Sequence, residues 1–354
     1  MILLPFFAKL IRNNTSQAYV CNFAVMLTRR GFLFFVVMPN FEFSKPHKSL
    51  DEQIELLRSR GLIINDPTWA KSHLAIIGYY RLSSYWFHME ERGEDLRLHR
   101  FKQNTTFESI LEVYVFDQKL RSMMLEAIER IEIAIRAKWA YYLSEESGAH
   151  AHCVKELFKD PDEYNKSFKA LIEDINRIKH TSSEICHYLK TYSEPKLPPI
   201  WMIVSCMSFG ELLRWVKNTE STKVKRSIAK DIIGTQNINL FEGIMRQLST
   251  VRNICAHHGR FWDQRFITRM PVVRDNLLVP MSTQKNSVGQ VISDNKVYNT
   301  LLIVAHLMLR LSQDTSWPTR LATLVNSSIT DEQQRIMGFP AQWKALPIWN
   351  AQSL

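Results

Sequence analysis

The chain has 354 residues, 45% of them hydrophobic, so it can bury one large core or two modest ones. Forty-five Lys and Arg against thirty-five Asp and Glu leave a net charge of +10, which suits a polyanionic partner. Five cysteines, Cys21, Cys153, Cys186, Cys206 and Cys255, are odd in number and form no CxxC pair. The sequence thus suggests neither a disulfide framework nor a zinc finger, and a reducing cytoplasm is the expected setting.

In chain order, residues 1–37 differ from the rest. "MILLPFFAKLIRNN" and "RRGFLFFVVMP" are apolar bursts too short for a membrane span of about 20 residues, and the first lacks a positive segment ahead of it. These residues are expected to be an upstream or leader extension outside the fold, and no membrane partner is expected. The folded part is expected to run over residues 46–350.

Ser49 reads as a helix cap ahead of "LDEQIELLRSRGL", with acids in the first turn and Gly61 as a stop. "DPTWAKSHLAIIGYYRLSSYWFHM" has proline at a helix-starting position, and "GEDLRLHRFKQNTT" reads as a loop or short hairpin. From Phe107 to Leu143 the spacing predicts a long helix. Phe116, Leu120, Met124, Ile128, Ile131 and Ile135 form its buried stripe, and Arg121, Glu126, Glu129, Arg130, Glu132 and Arg136 its charged face. A charged stretch over residues 144–196 separates this helix from a second helical cluster. "HAHC" within that stretch offers metal-type ligands, but at a spacing that suits no common site.

"PPIWMIVSCMSFGELLRWVKN" predicts a helix after two prolines, "NLFEGIMRQLSTVRNICAHHG" a second, and "NKVYNTLLIVAHLMLRLSQ" a third, amphipathic one. "WKALPIW" marks an irregular end docked by its tryptophans. The expected fold class is all-α: one bundle with an N-terminal helical portion packed on it.

The segment "TVRNICAHHGRFW" holds the candidate chemistry. Between Lys217 and Arg269 lie ten basic and four acidic residues, so the segment sits in the most basic part of the chain. Asn253 and His257 are one helical turn apart, whereas Arg252 and His257 are separated by roughly 140°. Gly259 is expected as the residue C′ of the helix, leaving His257 in its last turn. A histidine there lies against carbonyls that favour the imidazolium. An arginine near by makes paired phosphate contacts. A base for a 2′-hydroxyl proton and a guanidinium for a pentavalent phosphate suffice for metal-free RNA cleavage. The spacing alone is unselective, since Arg81 to His88 and Arg92 to His99 are comparable.

Four ordered blocks add selectivity: "IIGYYRLSSYW" (76–86), "FDQKLRSMMLEAIERIEIAIR" (116–136), "PPIWMIVSCMSFGELLRW" (198–215) and "RNICAHHGRFW" (252–262). With these the chain resembles the abortive-infection (Abi) proteins of the AbiD/AbiF type, in the HEPN superfamily. The resemblance implies an all-helical HEPN core at about residues 107–312 and a metal-independent endoribonuclease that defends bacteria against phage. It maps the family's Arg–polar–x3–His motif onto Arg252, Asn253 and His257. Two such motifs build one site in that superfamily, so a homodimer is implied here, with no cofactor and no metal. An antitoxin or a phage-derived trigger is a further expected partner.

Around the motif, His258, Glu129, Glu132 and Arg136 are candidate supports. Arg260, Arg265, Arg269 and Trp262 are candidate RNA contacts, Trp262 being either a base-stacking ring or a lid on the core. The alternative function is a non-catalytic RNA-binding or phage-sensing module that regulates a partner toxin. A nucleotide-binding enzyme is disfavoured, because no Walker or Rossmann glycine pattern is present.

Overall fold

Capping residues mark where the helices begin. Ser49 closes a capping box with Glu52 and starts α1 (Leu50–Ser59). The Asp66 side chain caps α2 (Pro67–Ile77), with Pro67 in its first turn. A short α3 follows (Tyr79–Ser83). The structure, a computed structural model, describes residues 46–93, 97–273 and 281–350, and the backbone of residues 23–27 and 33–37. Those two strands, β1 (Phe23–Leu27) and β2 (Leu33–Val37), pair antiparallel. The rest of the expected leader lies outside the described residues.

The chain divides into two compact units, residues 1–114 and 115–354. In the first, the predicted hairpin is present as β3 (Glu90–Arg92) and β4 (Arg97–Phe101), antiparallel with a register shift. Leu57, Leu74, Leu82, Trp86, Phe101 and Phe107 form the core of this unit. Edge-to-face contacts of Trp86 with Tyr79 and Phe101 help fix their packing.

The second unit holds the rest of the long helix α4 (Phe107–Ser147), then α5 (Pro161–Ile178), α6 (Ser183–Thr191), α7 (Ile200–Ile203), α8 (Phe209–Asn218), α9 (Thr222–Ile233) and α10 (Ile238–Ala256). A hairpin of β5 (Thr283–Lys285) and β6 (Val291–Ser293) precedes α11 (Val297–Leu311), α12 (Trp317–Ser328) and α13 (Asp331–Met337). The fold is therefore mostly α: thirteen helices against three two-stranded hairpins among the described residues. Helices fill much of the stretch read as a charged separator, residues 144–196. Asp160 and Ser182 cap two of them.

Three expectations are corrected. The helix read through "PPIWMIVSCMSFGELLRWVKN" is two helices, because Ser208 forms a capping box with Glu211 and opens α8 afresh. Helix α11 is not amphipathic, since Val297 to Ala305, Leu307 and Met308 are all buried; it runs through the core of the second unit. The charged face of α4 is not uniformly solvated, because Arg121 is 5% and Glu132 9% exposed. The C-terminal tryptophans dock as read: Trp343 and Trp349 are buried, and the Trp343 indole donates to Gln334 Oε1 at 3.0 Å.

Residues of the long helix hold the second unit together at several points. Trp139 donates to Thr219 Oγ1 at 3.0 Å, Tyr142 to Asp231 at 2.7 Å, and the Trp317 indole to the Met123 carbonyl at 2.9 Å.

His152, from the "HAHC" segment, is wholly buried and neither ring nitrogen has a hydrogen-bond partner. Burial, and to a smaller degree His150, lowers its pKa from 6.5 to about 4. A depressed folded-state pKa gives stability that is full above the unfolded value near 6.5 and is lost as pH falls toward 4. Between pH 7.5 and 5 this single group is expected to remove about 2 kcal/mol of stability. Urea midpoints at the two pH values, for wild type and His152→Leu, check this: the variant should lose correspondingly less.

Candidate functional site

The motif helix α10 is built to end at its histidines. The Asn237 side chain accepts from Leu240 N at 3.0 Å and starts it, and the face carrying Phe241, Ile244, Met245, Leu248, Val251 and Cys255 is buried. At the other end His257 is the capping residue, its amide bonded to the Asn253 carbonyl at 3.0 Å. The His258 amide reaches the Cys255 carbonyl at 3.1 Å, and the Gly259 amide the Ile254 carbonyl at 2.7 Å. These two bonds are the pair that closes a Schellman turn.

That geometry corrects the place expected for Gly259. The left-handed residue C′ is His258, with φ of 58°, and Gly259 stands one position later. Gly259 is needed for closeness rather than for handedness: a Cβ there would stand 3.1 Å from both the Cγ2 and the carbonyl oxygen of Ile254. A non-glycine residue in the left-handed region carries a backbone penalty of about 1 kcal/mol. His258→Gly is therefore expected to raise stability by up to about 1 kcal/mol, less whatever its ring contributes. Thermal melts of the two proteins would show it.

The chain beyond the turn is anchored by a residue outside the candidate set. Asp117, on the long helix and fully buried, accepts from Phe261 N at 3.1 Å and Trp262 N at 2.8 Å. Its carboxylate is also paired with buried Arg121, one helical turn further on. Sequence offers a signal for it: Asp117 falls in register with Val113, Leu120 and Met124, inside the apolar stripe rather than opposite it. A charged i,i+4 pair set in such a stripe calls for buried partners.

Arg252, Asn253 and His257 share the end of this helix. Arg252 is half-buried, with a long 3.4 Å contact from its guanidinium to Asn253 Oδ1, and Asn253 and His257 are exposed. Behind Arg252 lies part of the long helix. Burial pushes the Glu132 carboxyl up from its usual value, while the charges of Arg136 and then Arg252 pull it down and Glu129 pushes it up. Arg136 is ion-paired with Glu132 and donates to the Met207 carbonyl at 2.6 Å. Glu132 thus sits within electrostatic reach of Glu129, Arg136 and Arg252. His258 is exposed beside His257.

The candidate RNA contacts fare differently. Trp262 is fully buried, so its ring is a lid on the core and not a stacking surface. Arg260 is paired with Asp263 at 2.9 Å, and Arg269 donates to the Ser293 carbonyl at 2.9 Å. Arg265 is half-buried with Nη1 out of solvent, so all three arginines are at least partly committed to the fold. Among the described residues, no three His, Cys, Asp or Glu side chains gather as a metal site would require. Nor is any described helix long and apolar enough to cross a membrane.

No curated protein and no solved structure matches the chain. A family model described as "Abi-like protein" matches residues 72–263, just over half of it, and the match takes in Asp117, Glu132, Arg136 and the whole segment from Arg252 to Trp262. The chain belongs to the Abi-like protein family.

Proposed function

We propose that this protein is a metal-independent endoribonuclease of the HEPN type acting in abortive-infection defence. The observation that carries the reading is the end of the motif helix. There an exposed His257 and Asn253 stand beside a half-buried Arg252 backed by the Glu132–Arg136 pair. Membership of the Abi-like family supports the defence role.

In this reading His257 takes the proton of a ribose 2′-hydroxyl. The 2′-oxygen attacks the neighbouring phosphorus, and the bond from phosphorus to the 5′-oxygen breaks. The departing 5′-oxygen takes up a proton from a second acid, supplied by the histidine of another copy of the chain. Arg252 neutralises the charge that builds on the phosphoryl oxygens, and Asn253 steadies the guanidinium or the phosphate. The products carry 2′,3′-cyclic phosphate and 5′-hydroxyl ends. One motif per chain makes a homodimer the working unit.

The test is cleavage of end-labelled RNA by the purified chain in EDTA, with the product ends identified. Cyclic phosphate ends from wild type, absent with Arg252→Ala and His257→Ala, are expected. Undiminished cleavage by both variants would overturn the assignment. If no form cleaves RNA, even in phage-infected extract, the protein is instead a binding or sensing module.

A further inference from the structure

The face of the motif helix that leads to His257 also lines a groove. It lies between α8 and α10 and has a volume of about 310 Å³. Leu213 is half-buried in its wall, and the buried Val216, Phe241 and Met245 close it from beneath. Arg214, Lys217 and Arg246, all exposed, supply the cations on its rim. Ser249 and Thr250 add hydroxyls, and Glu242 is the one carboxylate in the lining. Arg214 is only loosely paired, 3.7 Å from Glu163 and 3.9 Å from Glu211. Lys217 and Arg246 form no ion pair among the described residues.

Helical geometry joins this groove to the candidate site. At about 100° per residue, Glu242, Arg246, Ser249, Thr250, Asn253 and His257 fall within a wedge of about 100°. Arg252 flanks the wedge on one side. From Arg246 to His257 the helix rises about 16 Å. A ligand lying along the wedge passes the cations first and reaches Asn253 and His257 next.

We infer that this groove binds the RNA strand next to the cleaved bond, with the backbone phosphates along Lys217, Arg246 and Arg214. The inference rests on the ribonuclease reading above. Charge decides the occupant: Lys217 and Arg246, which form no ion pair among the described residues, and the loosely held Arg214 favour a polyanion over an acid-free apolar helix. Size agrees, since the volume lies at the lower end of the roughly 300–1,000 Å³ of small-ligand clefts. A basic groove that tracks the backbone is also how single strands are held without sequence readout.

The probe is a fluorescein-labelled 2′-O-methyl oligoribonucleotide, whose blocked 2′-oxygen prevents cleavage. Its affinity for the full chain is measured by anisotropy across a salt series, for wild type, for Lys217→Glu with Arg246→Glu, and for Lys190→Glu with Lys196→Glu as an equal charge change on another surface. All four lysine and arginine positions are exposed, and circular dichroism verifies the fold. The groove variant is expected to bind at least tenfold more weakly than the control variant. Its salt dependence should be shallower by about 0.7 in log–log slope for each phosphate that the groove no longer neutralises. Equal affinity of groove and control variants would overturn the groove and leave the ribonuclease reading standing. A wild type that binds no RNA would overturn both. If the groove variant instead changes the sedimentation coefficient while RNA affinity stays put, the groove is a contact between copies and the inference fails.

Discussion

His257→Ala is expected to lower RNA cleavage at least 10²-fold while leaving the melting temperature within about 1 °C of wild type. The size follows from losing a positioned proton acceptor, which contributes roughly 10²–10⁴ in rate. The unchanged stability follows from exposure: the His257 side chain is exposed, and its bond to the Asn253 carbonyl is made by its backbone amide. Arg252→Ala should lose a comparable factor, about 10²–10³, because the guanidinium is needed only once charge builds on the phosphoryl oxygens. Arg252→Lys keeps the charge but not the planar fork, so it should recover only part of the rate. Single-turnover cleavage with calorimetry on the same samples checks both halves. Mixing His257→Ala chains into wild type adds a test of the pairing. If two chains build each site, activity falls more steeply than dilution of the wild type alone.

Asp117→Ala is the counterpart: a change outside the motif that should damage stability and cleavage together. Removing the carboxylate takes the acceptor from the Phe261 and Trp262 amides and the Asp117 ion pair from buried Arg121. Breaking one side of such a pair costs about 3–5 kcal/mol. For a unit the size of residues 115–354, that is a fall of about 10 °C in melting temperature. Asp117→Asn keeps an oxygen for the amides and loses only the charge, so it should fall between the two. If Asp117→Ala melted with wild type, the anchor would have no energetic weight. Set beside His257→Ala, the pair of variants separates chemistry from support: one loses rate at constant stability, the other loses both.

The helices were legible because their signals are local. Ser49, Asp66 and the long apolar stripe from Phe116 to Ile135 each act within a few residues, and the structure uses them as the sequence reads. What was not legible depended on partners far along the chain. Asp117 stands out by its place in an apolar stripe, but the partners it serves, Phe261 and Trp262, arrive only 144 and 145 residues later. Helix α11 looks amphipathic until neighbours cover its polar Asn299 and Thr300 as well. In the candidate site the residue types and their helical face were readable. The division of labour among the arginines was not. Arg260 and Arg269 turn inward to Asp263 and Ser293, while Lys217 and Arg246, on two different helices, face the groove.

The segment from His258 to Trp262 has a consequence for how this surface can vary. Four of its amides are spoken for, two by carbonyls of the preceding turn and two by one aspartate on another helix. A residue inserted or deleted between Gly259 and Phe261 would put the two amides held by Asp117 out of step with the two held by the preceding turn, and Gly259 itself is tightly placed against Ile254. The spacing from histidine to tryptophan is thus as fixed as the interior of a helix, although its histidines lie at the surface. Diversity among chains of this design should collect in side chains and in the loop that starts at Gln264, while the length of this short link stays constant.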